Sequence, residues 1–288
     1  MILFKRAGEL AGWLQEQRKT GKKIGFVPTM GALHPGHISL IDISKRSTDL
    51  TVCSIFVNPT QFNDPKDFQK YPITIEKDIY LLEKAGTDVL FLPEVTEMYP
   101  EGTQQLENYP LGRLEMILEG KYRPGHFQGV CQVVRRLLDI VQPDDLFMGQ
   151  KDYQQCMVIR RLLEITGSAI RLHPCPIQRE ADGLAMSSRN VRLTQDERQK
   201  STAIYRALTG IREGWQAGGA PASQAGDQEA LLARARAILE ESGFRIDYVE
   251  IADAATLESI LDRKDGQEAV ALIAAFQGEV RLIDNMLL

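Results

Sequence analysis

Four cysteines in 288 residues, Cys53, Cys131, Cys156 and Cys175, stand far apart, and none pairs with another at C-x-x-C spacing. That excludes a disulfide framework, argues against a zinc site, and marks these residues as reduced core thiols in apolar runs. No stretch approaches the ~20 apolar residues of a membrane-spanning helix. The opening Met1-Ile2-Leu3-Phe4 meets Lys5 and Arg6 too soon for a secretory signal, so a cytoplasmic protein without a membrane partner is expected. Excess positive charge is also missing. A formal net charge of −5 argues against a nucleic-acid binder that relies on a basic surface, though it leaves room for a local basic pocket. Repeats and low-complexity tails are absent. What remains, 43% hydrophobic and 25% charged residues, is the make-up of an ordinary globular protein, long enough for two domains.

The chain alternates between strand and helix patterns. A lead-in helix over Ala7–Lys19 carries Leu10, Trp13 and Leu14 on one face. Ile24–Val27 reads as a buried first strand, and a helix begins at Pro35 with Ile38, Leu40, Ile41 and Ile43 at helical spacing. Strands follow at Leu50–Val57, Asp88–Leu92, Asp145–Met148 and Leu172–Ile177, with helices between them near 74–84, 129–141 and after Gly149. The βαβ alternation predicts an α/β class with a parallel sheet. Residues 63–72 form a long irregular loop, a candidate lid. From residue 178 the character changes. Thr194-x-x-Glu197 signals the start of a long helix running to about Gln216, a Gly/Ala/Ser-rich loop covers Ala217–Asp227, and another helix fills Gln228–Ser242. Alternation over Arg245–Ile251 and a hairpin of Ala269–Phe276 with Val280–Asp284 complete a separate small α+β domain.

Chemistry concentrates where strands stop. Between the Ile24–Val27 strand and its helix lie Gly31, His34, Pro35, Gly36 and His37. The glycines allow close approach of a ligand, the helix start offers unpaired N–H groups and a partial positive charge, and two imidazoles three apart can donate to phosphate oxygens. A histidine here is otherwise a cap or a surface residue. The turn is neither G-x-G-x-x-G nor a Walker loop. Asn58 and Gln61 follow the next strand, where a parallel sheet presents loops to its ligand crevice; turn chemistry explains Asn58 more readily than Gln61. Arg123-Pro124-Gly125-His126 reads as an anion contact or a solvated turn. Gly149-Gln150-Lys151-Asp152 repeats the strand–glycine–helix plan with a lysine suited to a polyphosphate, or simply paired with Asp152, and Gln155 lies one turn further. Ser187-Ser188-Arg189 is a compact donor cluster of the kind that grips phosphate.

Taken in order, Pro28–His37, Phe56–Phe62, Arg123–Phe127, Gly149–Gln155 and Asp182–Asn190 resemble the pantothenate synthetase family. That family lies within the wider group of nucleotidyltransferases carrying His-x-Gly-His on a Rossmann-like domain. The likeness runs over nearly the whole chain, as far as Arg281–Asn285. It implies a Rossmann-like parallel-sheet domain over 1–177 that binds ATP and pantoate, and a smaller C-terminal α+β domain over 178–288 acting as a lid. The implied reaction joins pantoate to β-alanine through a pantoyl adenylate, consuming ATP with Mg2+ and releasing AMP and diphosphate in a homodimer. Carried over residue by residue, Met30, Gly31, Ala32, Leu33, His34, Pro35, Gly36 and His37 hold ATP, and His37 is the usual proton donor. Gly149, Gln150, Lys151, Asp152, Gln178, Met186, Ser187, Ser188 and Arg189 also meet the nucleotide, while Gln61 and Gln155 hold pantoate. Two departures stand out: the wider group writes the phosphate loop Lys-Met-Ser-Lys-Ser, where this chain has Ala185 and Arg189 in place of the lysines, and Gln150 replaces a Glu of many relatives. His34, His37, Lys151 and Arg189 are expected to converge on one triphosphate, with the 63–72 and 186–190 loops closing against water. Rival readings are a nucleotidyltransferase that acts on a phosphate, a tRNA synthetase fragment, and a noncatalytic nucleotide sensor.

Overall fold

Runs of apolar residues without alternation bury both faces of a strand, and these runs build a parallel sheet. The computed structural model describes residues 1–62, 68–104, 106–217, 225–260 and 266–288. Residues 63–67 of the loop expected to be a lid, and 218–224 of the Gly/Ala/Ser-rich connection, lie outside the described residues. In chain order the first part comprises β1 (Ile2–Phe4), α1 (Ala7–Lys19), β2 (Ile24–Thr29), α2 (Pro35–Ser47), β3 (Leu50–Ile55), α3 (Ile75–Lys84), β4 (Val89–Phe91) and α4 (Val95–Met98). It continues with α5 (Leu118–Tyr122), α6 (His126–Val141), β5 (Asp145–Gly149), α7 (Tyr153–Ile165) and β6 (Arg171–Cys175). Among the described residues the sheet has six strands in the order β1-β4-β3-β2-β5-β6, with every pairing parallel. The order reverses at β2, which has β3 on one side and β5 on the other. The loops leaving β2, β3 and β5 therefore emerge at one edge, beside the switch point where open α/β sheets bind ligands.

Two expectations about this part need correction. Ile24–Val27 is the second strand, because Ile2–Phe4 already pairs with Val89–Phe91 at the sheet edge. Three residues, with Ile2 and Leu3 both exposed, are too few to show a burial pattern. The α6 helix starts at His126 rather than near Gly129, after Gly125 turns the chain at φ +79. The four cysteines are buried and free, and burial pushes the Cys53 and Cys131 thiols up to about 12. No described helix is long and apolar enough to cross a membrane.

The second part contains α8 (Gln195–Lys200), α9 (Ala203–Ala217), α10 (Ala225–Glu241), β7 (Arg245–Asp253), β8 (Ala269–Gln277) and β9 (Val280–Leu287), its strands antiparallel in that order. The Thr194–Glu197 capping box forms, but the single long helix expected after it is two helices. The break falls at Ser201, fully buried, where the Glu197 carbonyl accepts from both Ser201 N at 2.9 Å and its hydroxyl at 2.7 Å, the back-bonding that bends helices. Ile204, Leu208, Ile211 and Trp215 of α9 share a core with Leu232 and Leu239 of α10 and with Ile251, Ile273 and Leu282 of the sheet. The chain divides into two compact units, one of Met1–Gln150 with Gln154–Ile177 and another of Lys151–Tyr153 with Gln178–Leu288.

At the amino end of β5, one buried carboxylate gathers three basic groups. Asp145 accepts from Lys23 Nζ at 2.7 Å, from the Arg171 fork at 3.1 and 3.2 Å, and from His173 Nε2 at 2.6 Å. His173 in turn stacks on Phe147 at 4.9 Å. Burial alone would raise the Asp145 pKa, but Lys23, His173 and Arg171 together outweigh it and hold the group below the ordinary carboxylate range. A depressed carboxylate pKa stabilises the fold above the unfolded value of about 3.9 and loses that contribution as pH falls through the folded value. Asp145→Asn is therefore expected to lower Tm at pH 7, with the gap from the parent holding down to about pH 5 and narrowing as thermal melts are carried below about pH 3.9. A gap that does not change with pH would contradict this account.

Candidate active site

The turn after β2 is held by a carboxylate 45 and 46 residues away. Thr29 ends the strand, its hydroxyl donating to Ser54 O at 2.6 Å and accepting from Gly31 N at 3.2 Å. Gly31 then takes φ +82 and Ala32 φ +49. A Cβ at Gly31 would stand 3.0 Å from Ile55 Cγ2 and 3.1 Å from Asp78 Oδ2, so this position needs glycine for space as well as for φ. Asp78, in the first turn of α3 and 1% exposed, accepts from Ala32 N at 2.9 Å and Leu33 N at 2.8 Å, and Thr74 Oγ1 donates to it at 3.0 Å. A non-glycine residue at positive φ costs about 1–3 kcal/mol. Two hydrogen bonds to a charged acceptor, each worth about 1.5–3 kcal/mol, outweigh it.

His34 occupies the N-cap of α2 in extended backbone, with Pro35 at the first helical position. Its Nδ1 accepts from Gly36 N at 3.2 Å, and the His37 Nδ1 accepts from His34 N at 3.3 Å. The two rings lie 4.1 Å apart between centroids. This corrects the expectation of unpaired amides at the helix start: Gly36 N goes to the His34 ring, and His37 N and Ile38 N go to His34 O at 2.8 and 3.3 Å, while Asp78 takes the two amides of the preceding turn. A neutral imidazole that accepts at Nδ1 carries its proton on Nε2. The cap thus converts backbone donors into imidazole donors.

The loop after β3 is brought against this turn. Gln61 donates through Nε2 to Met30 Sδ at 2.9 Å, joining two of the expected site residues. Asn58, 1% exposed, is a turn residue as its chemistry suggests: its Oδ1 accepts from Thr60 N at 3.3 Å and Tyr99 OH at 2.9 Å, and its Nδ2 donates to Gly129 O at 3.1 Å. A Cβ at Gly129 would collide with Thr60 O, so α6 packs directly on this loop. In the Arg123–His126 turn, Pro124 and Gly125 are exposed and Arg123 is half-buried, while His126 is buried against the loop after β3. Arg123 Nη1 donates to His126 Nε2 at 3.0 Å, which leaves Nδ1–H to donate to Gln61 O at 2.7 Å. On the α3 side of the turn is a cavity of about 400 Å³ lined by Met30, Gly31, Phe56, Ile73, Asp78 and Glu94, among others. Its charged lining groups are two carboxylates, so it repels a phosphate.

Gln154 and Gln155 separate in role. Gln154 is buried and spends its amide on Leu114 O, Ile117 O and Glu119 N, while Gln155 is half-buried beside it. Of the remaining expected residues, Gly149 and Gln150 belong to the first unit; Lys151, Asp152, Gln178 and Met186–Arg189 belong to the second.

In the second unit, Gln178–Met186 closes on itself, with Met186 N donating to Gln178 O at 2.9 Å and Arg179 bridged to Ala185. Arg179 donates to Asp284 at 2.6 and 3.0 Å and to Gly183 O at 3.0 Å, and its guanidinium lies 4.7 Å over the Tyr205 ring. Ser187 caps a 3-10 turn over Ser188–Arg192, its Oγ accepting from Arg189 N at 3.3 Å. Burial pushes the Asp284 pKa up, and Arg179 only partly opposes it. Sequence reasoning missed Asp78, Arg179 and Asp284. Each is a lone charge whose partner is distant in the chain, and nothing in the local pattern marks it.

Residues 2–287 match the family model described as pantoate-beta-alanine ligase. The chain is 43% identical to the pantothenate synthetase of Caldicellulosiruptor bescii, covering 99% of this chain and 98% of that one. It is also 43% identical to the pantothenate synthetase of Bacteroides thetaiotaomicron, covering 96% and 95%. A solved pantothenate synthetase from Thermus thermophilus superposes with a TM-score of 0.89 at 42% identity, covering 99% of both chains. The Francisella tularensis pantoate-beta-alanine ligase, solved in complex with beta-gamma ATP and beta-alanine, gives 0.80 at 37% identity over 100% of this chain and 97% of that one. With both units covered from end to end at these identities, the chain belongs to the pantoate-beta-alanine ligase family.

Proposed function

We propose that this chain joins pantoate to β-alanine at the expense of ATP, through a pantoyl adenylate, with release of AMP and diphosphate. The observation that carries the reading is the pair of mutually capped imidazoles at the sheet's switch point, in a chain whose family is named for this ligation. A carboxylate is a poor acyl donor. Its oxygen therefore attacks the α-phosphorus of ATP, the bond to diphosphate breaks, and a mixed anhydride forms. Negative charge grows on the leaving diphosphate, and the Nε2–H groups of His34 and His37 donate to it. Lys151 and Arg189 supply cationic groups to the phosphates, and Met30–His37, Gly149–Asp152, Gln178 and Met186–Ser188 make the remaining nucleotide contacts. Gln61 and Gln155 orient pantoate through their amides. The β-alanine amine then attacks the anhydride carbonyl and AMP leaves.

Magnesium, when bound, neutralises phosphate charge. In this reading the ion is carried mainly by phosphate oxygens; among the described residues no group of three or more His, Cys, Asp or Glu is placed to hold one. A homodimer in the cytoplasm belongs to the same reading and rests on family likeness.

The direct test is diphosphate and AMP release with ATP and pantoate, with and without β-alanine. The expected result is about one diphosphate per site without the amine and continuous AMP release with it. Turnover that ignores β-alanine, or nucleotide binding with no turnover, would overturn the proposal. His37→Ala is expected to slow adenylate formation by about 10²–10³ with an unchanged circular dichroism spectrum; near-native AMP formation would remove His37 from the mechanism. Gln61→Ala is expected to raise KM for pantoate well above any change in KM for ATP, and equal losses would make that loop purely structural.

A further inference from the structure

Arg281–Asn285 belongs to the family likeness, yet the mechanism of adenylate formation assigns it no work. We infer that Asp284 and Asn285 are positioning residues, a two-residue bracket on β9 that fixes Lys151 and the Ser187–Arg189 turn in one arrangement. The inference rests on the proposed phosphate roles of Lys151 and Arg189.

Both residues are almost wholly buried, at 3% and 2% exposure, although both are polar. Successive residues of a strand point to opposite faces, so the pair reaches two different segments. The Asn285 carboxamide donates through Nδ2 to Lys151 O at 2.9 Å, 134 residues away in sequence. Asp284 takes both arms of Arg179, whose Nη2 also donates to Asn285 O at 3.3 Å. Arg179 carries the restraint onward: its bond to Gly183 O and its bridge to Ala185 shape the turn that delivers Met186 and Arg189. Gly183 sits at φ +92, and a Cβ there would collide with the Tyr205 ring, so this turn needs glycine for space as well as for φ. The Lys151 ammonium also acts electrostatically on the Asp284 carboxyl. All of these contacts lie within the second unit. One strand end thus ties together the two segments that bring cations to the phosphates, and a fixed spacing lets preorganised donors act without reorganising.

The test is a double-mutant cycle read by single-turnover diphosphate release with ATP and pantoate, with Tm measured alongside. Asn285→Ala is expected to slow that step about tenfold, the worth of roughly one hydrogen bond of positioning, in kcat rather than in KM for pantoate. In a Lys151→Ala background the same change is expected to cost less than about twofold, because the group it positions is gone. Arg179→Lys keeps the charge and loses the forked bond, and its cost should vanish in the same way in an Arg189→Ala background, which gives a second reading should Asn285→Ala fold poorly. Losses that persist in full in those backgrounds would show that the bracket only supports the fold and would overturn the inference. Native rates in Asn285→Ala would do the same. A Lys151→Ala enzyme of native rate would instead refute the phosphate role of Lys151, and the bracket with it.

Discussion

A single buried carboxylate, Asp78, sets the geometry of the turn after β2 in the first unit. By accepting from Ala32 N and Leu33 N it holds a backbone that would not adopt positive φ at alanine unaided, and it fixes where α2 begins. The next two amides are taken by His34 and His37, each ring turned by the bond its Nδ1 accepts. A helix N-terminus ordinarily meets an anion with its own N–H groups. Here those groups are consumed internally by His34, and in the proposed function imidazole protons take their place. An imidazole can also exchange its proton near neutral pH, which an amide cannot.

The second unit solves the same positioning problem with a different device. A buried ion pair is weak evidence for stability, because desolvating both charges costs several kcal/mol each. The forked Arg179–Asp284 contact offsets that cost through paired, charge-assisted bonds and adds directionality in return. Burial raises the Asp284 carboxyl and its guanidinium partner only partly opposes it, so the pair is worth more as a specifier of one arrangement than as a source of stability.

How far these features were legible in the sequence depended on the distance between partners. Buried runs such as Leu50–Val57 announced parallel strands, and Thr194-x-x-Glu197 announced a cap, because each pattern is complete within a few residues. The three-residue β1 has no period to read, and the break at Ser201 comes from a hydroxyl choosing the i−4 carbonyl, a choice that composition does not reveal. The glycines and histidines of residues 31–37 were visible as chemistry, but the amides beside them looked available only because Asp78 lies in a different helix. Asn58 was read correctly as turn chemistry. His126 was not, since its burial depends on the register of α6 against Gln61.

The claim that Asp78 sets the imidazole geometry is tested most directly by Asp78→Asn. The variant keeps the volume of the side chain but offers one acceptor and one amide donor to two N–H groups. Diphosphate release with ATP and pantoate, measured with circular dichroism as the control for folding, is expected to slow by about ten- to a hundredfold while the spectrum is retained, the equivalent of about 1.5–3 kcal/mol for a lost charge-assisted bond. A folded Asp78→Asn enzyme releasing diphosphate at the native rate would contradict the account.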